Sequence, residues 1–548
     1  MPPPPRPRRG CDALIQALQA AGVPRLFTLS GNHVMPVFDA AFAAGMPLLH
    51  TRHEASAVHM ADAHARLTGE VGVALVTGGP GHANAVSALY TALMAESPVL
   101  LLSGHAPLHQ IGSGAFQEMA QVEIAAPLCK AAWTCAGADA LADDVAKAFR
   151  IARSGRPGPV QLSLPTDVLE ALTDAPLPDT ASFAAEPLPL ADAQARTIMQ
   201  RLAASRRPLV LAGPASMTRP GRALLAALQA ASGVPVVGME SPRGLADGSL
   251  GDFAPVLADA DCVLLLGKRL DFTLKFGLAP AFPAAAAVMQ VDADDAEIGR
   301  SRRALGDRLG PTARADPASA LRALARAAVT GAPAHWLEQV ERARAFRPPE
   351  WAQAASALPD RLHPVQMLAP LQAVLDSHPN SVLVVDGGEI GQWAAACLHA
   401  PHRLLNGPAG AIGAALPYAL AARCAVPMAP VVAVMGDGSV GFHLAEFDTA
   451  VRHGLPLLVV VGNDARWNAE YQIQLRDYGR DRLFGCELLP TRYDAVVAAL
   501  GGHGALVTRP EAMAGAVQAA LASGLPACLN VMIEGLPAPQ VSAAAATA

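Results

Sequence analysis

The chain has 548 residues, a net charge of −6, and 52% hydrophobic against 16% charged residues. At roughly 150 residues per domain, this length predicts three or four domains, and the apolar fraction excludes a disordered chain. The slightly negative charge offers no general attraction to nucleic acid or to an acidic membrane surface. We therefore expect neither as a partner.

Cysteine usage and the apolar runs bear on the compartment. The eight cysteines include no CxxC pair and no zinc spacing, which is typical of reduced thiols in a cytoplasmic protein. Residues 1–10 are rich in proline and arginine without a following apolar run, so we expect a disordered lead and no secretory signal. The most apolar uncharged run, Leu404–Ala422, is interrupted by Pro408 and Pro417, and no membrane span is expected.

Helix-like stretches alternate with short apolar runs, which predicts parallel sheets covered by helices on both faces. The pattern predicts an α/β fold with three doubly wound parallel-sheet domains at 11–174, 191–329 and 364–535, and a flexible alanine-rich tail at 536–548. The expected strands are 72–77, 98–103 and 160–164 in the first domain, 208–212, 234–237, 262–266 and 288–291 in the second, and 382–385, 431–435, 457–461 and 528–532 in the third.

The segment Gly436–Asp464 carries the strongest functional signal. A buried strand delivers the residues GDGS at its carboxyl end, an amphipathic helix follows, and the next strand ends at Asn463 and Asp464. Ligands bind outside the carboxyl ends of parallel strands, so these polar residues are expected to lie together. Glycines allow backbone N–H groups to approach an anion, and carboxylate oxygens suit Mg²⁺.

This segment resembles the signature of thiamine diphosphate (ThDP) enzymes, and four more segments resemble that family's motifs. They are TRHE at 51–54, GGPGHAN at 78–84, GAFQE at 114–118 and GPAGAIG at 407–413. The resemblance covers essentially the whole chain. It implies pyrimidine-binding, central and diphosphate-binding domains in that order, with ThDP and Mg²⁺ as cofactors.

The resemblance implies a role for each matching residue. Glu54 would share a proton with the cofactor's pyrimidine ring, which needs a carboxyl group in an apolar pocket. The alternative for Glu54 is a helix-terminal carboxylate stabilised by the helix dipole. Ile412 would be an apolar prop under the cofactor. The implied cofactor-binding residues are Gly79, Pro80, Gly81, Asn84, Gly388, Glu389, Gly410, Ile412, Gly438 and Ser439.

Asp437 and Asp464 would hold the metal, with the backbone carbonyl of Arg466 as a third ligand. The family usually has asparagine as the second member of this pair, so Asp464 is a departure that adds a negative charge. A shifted register would make Asn463 the ligand instead. We favour Asp464, and Asn463 stays the alternative.

Within the family, the chain most resembles benzaldehyde lyase, through AGVPRLFTLSGNH, HTRHEA, GVALVT and GDGSVGFHLAEFDTAVRHGLPL. This likeness implies that His33 relays protons to the substrate hydroxyl and that Gln117 hydrogen-bonds in the same pocket. Asn32, Trp467 and Tyr471 would line the substrate pocket and make it more polar than in that lyase.

The resemblance implies a carboligase or lyase that forms or cleaves the C–C bond of 2-hydroxy ketones through an enamine bound at C2 of the cofactor. Three alternatives stay open: an acetolactate synthase-type 2-keto acid decarboxylating carboligase, a 2-hydroxyacyl-CoA lyase, and a silent ThDP-binding homologue. The chain is short around 241–248, which argues against FAD. Small carbonyl substrates are expected, in a homodimer or homotetramer with active sites at the subunit interface.

Overall fold

The computed structural model describes residues 8–542. The outer parts of the predicted lead and tail, 1–7 and 543–548, lie outside the described residues. By its internal contacts, the chain divides into two compact units, Met1–Leu188 and Pro189–Ala548. The predicted domain boundaries stay predictions.

The first unit contains a six-stranded parallel sheet of order β3-β2-β4-β5-β7-β6. Every residue of β4 and β5 is buried, because helices cover both faces of a parallel sheet. The strands are β1 Arg8–Arg9, β2 Leu26–Thr28, β3 Leu48–His50, β4 Gly72–Val76, β5 Val99–His105, β6 Ala131–Thr134, β7 Val160–Pro165 and β8 Leu172–Thr173. The helices are α1 Gly10–Ala20, α2 Met35–Ala43, α3 Glu54–Thr68, α4 Pro80–Met94, α5 Gln121–Ala125, α6 Ala138–Arg153 and α7 Thr166–Glu170.

The prediction of a disordered lead is wrong for residues 8–10. Strand β1 pairs antiparallel with β8, and Gly10 begins α1. The Arg9 guanidinium lies 2.9 Å from Asp12 and 2.8 Å from Asp39, so an arginine of the predicted disordered lead has two carboxylate partners.

The second unit contains two parallel sheets, a five-stranded one of order β10-β9-β11-β12-β13 and a six-stranded one of order β15-β14-β16-β17-β19-β18. The strands are β9 Pro208–Ala212, β10 Val236–Gly238, β11 Cys262–Leu266, β12 Ala287–Asp292, β13 Leu309–Arg314, β14 Val382–Val385, β15 His402–Leu405, β16 Val431–Gly436, β17 Leu458–Asn463, β18 His503–Val507 and β19 Ala527–Met532.

The helices of this unit cover both sheets. They are α8 Asp192–Ala203, α9 Arg219–Ser232, α10 Phe253–Asp259, α11 Asp295–Leu305, α12 Pro317–Arg326, α13 Ala334–Ala345, α14 Pro364–Asp376, α15 Gly388–Cys397, α16 Ala415–Ala425, α17 Asp437–His443, α18 Glu446–Arg452, α19 Asn468–Tyr478, α20 Tyr493–Ala499 and α21 Pro510–Ala522. The prediction of one amphipathic helix after GDGS is wrong, because two short helices, α17 and α18, occupy that stretch.

Three parallel sheets flanked by helices confirm the predicted α/β fold class. Every predicted strand is present, with ends that differ by at most two residues. The strands that the sequence did not predict are β2, β3, β6, β13, β15 and β18, besides the two-residue pair β1 and β8. All but β2 of the six lie at sheet edges, where most positions are only partly buried.

The described part of the predicted flexible tail contains no helix or strand, yet it makes specific contacts. The Trp393 indole donates to the carbonyl of Pro537 at 3.0 Å, and the Asn468 amide donates to that of Leu536 at 2.8 Å. Across residues 8–542, no helix has the length and apolar content to cross a bilayer. All eight cysteines are free, and the cytoplasmic location stays a prediction.

Candidate active site

In the first unit, the GGPG loop joins β4 to α4 at the carboxyl end of the sheet. Gly79 has φ +57°, and a Cβ atom there would lie 2.6 Å from the carbonyl oxygen of Gln117. Only glycine therefore allows this approach of the two backbones. Pro80 and Gly81 open α4, which places the predicted cofactor loop on a rigid helix.

Glu54 is the first residue of α3, directly after the extended N-cap His53. Its half-buried carboxylate accepts a 3.0 Å hydrogen bond from the side-chain amide of Asn84 in α4. The structure thus brings together two residues predicted from separate motifs. A helix terminus stabilises a carboxylate by its dipole, so the helix-terminal interpretation of Glu54 fits this position, and the proton-sharing role stays a prediction.

His33 lies in a short turn after β2 and is only 3% exposed. Its Nδ1 atom lies 3.2 Å from the Thr77 hydroxyl, and its ring stacks on Phe116 at 6.0 Å between centroids. A Cβ atom at Gly104 would lie 2.5 Å from that of His33, so the fit is close. Burial lowers the pKa of His33, and a neutral imidazole at pH 7 can accept a proton.

The side chain of Glu118, the residue after Gln117, holds the loop that carries Gln117 in place. Backbone N–H groups of Gly112, Ala115 and Gly114 donate to the Glu118 carboxylate and lower its pKa. Gln117 has φ +57°, is half-buried, and packs against Gly79. Asn32 is exposed beside His33.

Sequence reasoning missed Gln121, the buried amide that ties this loop cluster to the sheet. Its Oε1 accepts from the backbone N–H of Gly79 at 2.9 Å. Its Nε2 donates to the carbonyl of Gly104 and the hydroxyl of Ser163, at 3.2 and 3.0 Å. The only signal was a second glutamine four residues after Gln117.

In the second unit, most of the predicted cofactor and metal residues line one cavity of about 180 Å³, which we call the cofactor cavity. The starts of α15 and α17 and the loop after β17 form its walls. The predicted residues among its lining are Gly388, Glu389, Gly410, Ile412, Asp437, Gly438, Ser439, Asp464, Arg466 and Trp467. Asn468 and Glu470, polar neighbours of Trp467 in the sequence, also line the cavity, as does Arg243, to which sequence reasoning gave no role in the site.

Asp437, which is buried, and Asp464, which is half-buried, form a carboxylate pair in this cavity. Burial raises the pKa of both, and the negative charge of Asp437 raises that of Asp464 further. Oδ2 of Asp437 is buried with no hydrogen-bond partner in the described part of the chain. An unpartnered oxygen and two facing carboxylates suit a divalent cation.

The donor set also fits a particular cation. Within residues 8–542, no three His, Cys, Asp or Glu side chains form a cluster that could hold a metal by themselves. Mg²⁺ is bound by one or two carboxylates together with phosphate oxygens and water. The residues present therefore fit Mg²⁺ held jointly with a diphosphate.

Asn463 and Asp464 have different surroundings. The Asn463 amide donates to the carbonyl of Thr491 at 3.1 Å and to the side chain of Asn530 at 3.0 Å, and it accepts from the N–H of Ala465 at 3.1 Å. Asn463 is fully buried and is not part of the cavity lining described above, which includes Asp464.

Of the two aromatic residues predicted for the substrate pocket, Trp467 lines the cofactor cavity and Tyr471 does not. A Cβ atom at Gly438 would lie 2.6 Å from the Trp467 ring, so this glycine lets the indole cover the GDG turn. Tyr471 is buried, with the Arg466 guanidinium 4.2 Å above its ring, and is absent from the lining that the described residues form.

Asp386, at the end of β14, was also missed. It accepts hydrogen bonds from the backbone N–H groups of Gly387, Gly413 and Ala415, at 2.7, 2.9 and 3.1 Å. Burial raises the pKa of Asp386 to about 6. The residue fixes the loop that carries Ile412, and the signal was a polar residue ending the buried run VLVV.

Known proteins match this chain over nearly its whole length. Models of the thiamine pyrophosphate enzyme domains match residues 8–124 (N-terminal TPP binding domain), 195–324 (central domain) and 386–531 (C-terminal TPP binding domain). A probable acetolactate synthase of Mycobacterium bovis and acetolactate synthase large subunit IlvG of Mycobacterium tuberculosis are each 33% identical over 534 residues, 95% of both chains. Human 2-hydroxyacyl-CoA lyase 2 is 32% identical over 553 residues, 92% of this chain and 85% of that protein.

These matches confirm the predicted ThDP-dependent lyase or transferase, whereas the particular likeness to benzaldehyde lyase stays a prediction. Full-length similarity to enzymes and all three domain matches argue against the silent homologue. The chain belongs to the thiamine pyrophosphate enzyme family.

Proposed function

We propose that this chain is a Mg²⁺- and ThDP-dependent enzyme that forms or cleaves the C–C bond of 2-hydroxy ketones. The observation that carries the proposal is the carboxylate pair of buried Asp437 and half-buried Asp464 in a glycine-lined cavity, where Oδ2 of Asp437 has no partner among the described residues. ThDP, when bound, supplies a carbon nucleophile that adds to a carbonyl carbon.

The second unit would bind the diphosphate and metal. Asp437 and Asp464 are the proposed metal ligands, with the backbone carbonyl of Arg466 as the third. The Tyr493 hydroxyl donates to the Asp437 carbonyl at 3.1 Å and holds that backbone in place. N–H groups at the start of α15, at Gly388 and Glu389, suit phosphate oxygens.

The first unit would supply the proton-transfer groups. We assign Glu54, held by Asn84, to a proton shared with the cofactor's pyrimidine ring. His33 is assigned to the proton gained or lost at the substrate hydroxyl, since burial favours its neutral form. Gln117 is assigned to the substrate carbonyl.

We further propose a homo-oligomer, at least a dimer, in which Glu54 of one protomer serves the cofactor bound at Asp437 of another. The support is the family's arrangement. Exposed aromatic side chains, including Phe116 at 68% and Phe442 at 55%, flank the proposed sites and suit an apolar contact between subunits.

A second candidate is the acetolactate synthase type, which decarboxylates a 2-keto acid. Arg243 lines the cofactor cavity and lies 3.7 Å from Glu389. Burial raises the pKa of Glu389, and the Arg243 charge opposes this shift. A guanidinium facing the cavity suits a carboxylate on the substrate, which a 2-keto acid carries and a 2-hydroxy ketone lacks.

A donor screen separates these functions. The purified protein, saturated with ThDP and Mg²⁺, would be given pyruvate, benzoin, formaldehyde or a 2-hydroxyacyl-CoA, and products and CO₂ would be followed. We expect turnover of benzoin or ligation of aldehydes without CO₂ release. CO₂ release with acetolactate from pyruvate would establish the second candidate. Normal ThDP binding with no C–C bond formed or cleaved in any donor would contradict both proposed functions.

A further inference from the structure

The second unit holds another cavity of about 410 Å³, which we call the arginine cavity. It lies between helices α9 and α13 and the end of α15, and it shares no lining residue with the cofactor cavity. Its charged lining consists of four arginines, Arg222, Arg344, Arg347 and Arg403, together with His399. Its volume falls within the ~300–1,000 Å³ of small-molecule sites.

Few carboxylates balance these four charges. Glu240, which is 3% exposed, lies 2.8 Å from Arg222 and 3.4 Å from Arg403, so one carboxylate serves two guanidinium groups. Across the described range 8–542, Arg344 and Arg347 have no carboxylate within ion-pair distance. Glu341 and Asp247 act on them only from farther away.

The hydrogen bonds of this cavity leave one buried guanidinium nitrogen without a partner in the described part of the chain. Arg347 donates to the backbone carbonyls of Ala396, Arg344 and Phe346, which holds the Arg347 fork in place. Nε of Arg344 is buried and has no hydrogen-bond partner in the described part of the chain. Burial and the nearby charge of Arg403 both lower the pKa of Arg344 and Arg347, so the cavity disfavours the cations that it contains.

An anion would relieve this imbalance, and the guanidinium fork best matches phosphate or carboxylate oxygens. A phosphate group carries more charge than a single carboxylate and offers more acceptor oxygens to several forks at once. Apart from Gln229 and Ser249, the remaining wall is apolar and includes Leu225, Val236, Leu250 and Leu398. It suits a molecule whose phosphate is attached to a less polar part.

We propose that the arginine cavity binds a small phosphorylated molecule, with its phosphate between Arg344, Arg347 and Arg403 and its organic part against Leu225 and Val236. The site is separate from the cofactor's diphosphate and does not depend on the function proposed above. Helix α15 connects the two cavities, since Gly388 and Glu389 line one and Ala395 lines the other.

Calorimetric titration tests the site. The full chain, presaturated with ThDP and Mg²⁺ so that the cofactor cavity is filled, would be titrated with inorganic phosphate, glycerol 3-phosphate and AMP. We expect saturable binding, tighter for the organic phosphates than for inorganic phosphate. The organic probe that binds tighter distinguishes a nucleotide from a simple phosphate ester.

Matched variants identify the cavity. Arg344→Gln should weaken binding by roughly tenfold or more, because it removes a charged hydrogen bond. Arg342→Gln, on the exposed side of the same helix, should leave binding unchanged. If Arg344→Gln fails to fold, Arg403→Gln replaces it with the same expected loss. No saturable binding, or equal binding by the wild type and the cavity variants, would overturn the proposal.

Discussion

Asn84 donates a 3.0 Å hydrogen bond from its side-chain amide to the Glu54 carboxylate, across 30 residues of sequence. The two residues belong to α3 and α4, which pack against each other. A carboxylate held by a neighbouring helix has one preferred orientation before any ligand binds. Such a fixed orientation favours the proton-sharing role proposed for Glu54.

Glu54→Gln tests the proposed start of the reaction. The variant keeps the volume and the contact with Asn84 but cannot accept a proton. Turnover should fall by about 10²- to 10⁴-fold, the range of general acid–base catalysis, with little change in ThDP affinity. The measurement is steady-state turnover together with exchange of the cofactor's C2 proton by NMR. Glu123→Gln, an exposed residue of the same unit, is the control, and unchanged exchange in Glu54→Gln would refute the assignment.

The metal assignment is tested by replacing each member of the Asn463 and Asp464 pair. Asp464→Ala should sharply weaken Mg²⁺-dependent ThDP binding, since the diphosphate loses its bridge. Asn463→Ala should instead lower thermal stability, because its amide makes three hydrogen bonds inside the protein. Calorimetry and thermal melting separate the effects. Normal ThDP binding by a folded Asp464→Ala chain would assign the ligand elsewhere.

His33→Ala should slow ligation and cleavage to a similar extent, because one proton relay serves both directions. ThDP affinity should barely change, since the proposed role of His33 concerns the substrate. Rates in both directions and ThDP binding are the measurements. Phe116→Ala, which removes only the stacked ring, should have a smaller effect on rate. Weak ThDP binding by His33→Ala, with normal turnover at saturating cofactor, would contradict the proposed proton-relay role of His33.

The free energy of unfolding should decrease as the pH is lowered, because three histidines of the first unit are buried. Burial lowers the pKa of His59, His64 and His82 to about 4, below the unfolded value of about 6.5. Between these values the unfolded chain binds more protons, so each histidine costs up to about 1.4 kcal/mol per pH unit as the pH falls. His82→Gln should flatten the dependence of the melting temperature on pH between 4 and 6.5. An equally steep profile would contradict this origin.

Mixing two inactive chains tests the proposed oligomer. Glu54→Gln and Asp437→Ala protomers should together recover part of the wild-type activity if one active site draws these residues from different chains. Subunit exchange would be followed by light scattering and native mass spectrometry of tagged chains. A fully active monomer, or exchange without recovered activity, would contradict the arrangement.

Much of the fold is encoded locally. Short apolar runs such as Val382–Val385 and Cys262–Leu266 predict buried parallel strands, because both faces of such a strand must be apolar. Edge strands such as β18 do not share this signal, since only one of the five β18 residues is fully buried. The order of glycine, acidic and amide residues after strand ends is likewise a local property of the sequence, and it indicates the family without knowledge of the fold.

The sequence by itself thus determined the α/β class, the family and the candidate residues, because these depend on short periodicities and on residues adjacent in the chain. Only the tertiary structure distinguished the surroundings of Asn463 from those of Asp464, since Thr491 and Asn530 come from distant segments. It alone showed that Gln121 anchors the GGPG loop. It alone joined Arg222 and Arg403 to one carboxylate, because contacts between charges far apart in sequence exist only after the chain has folded.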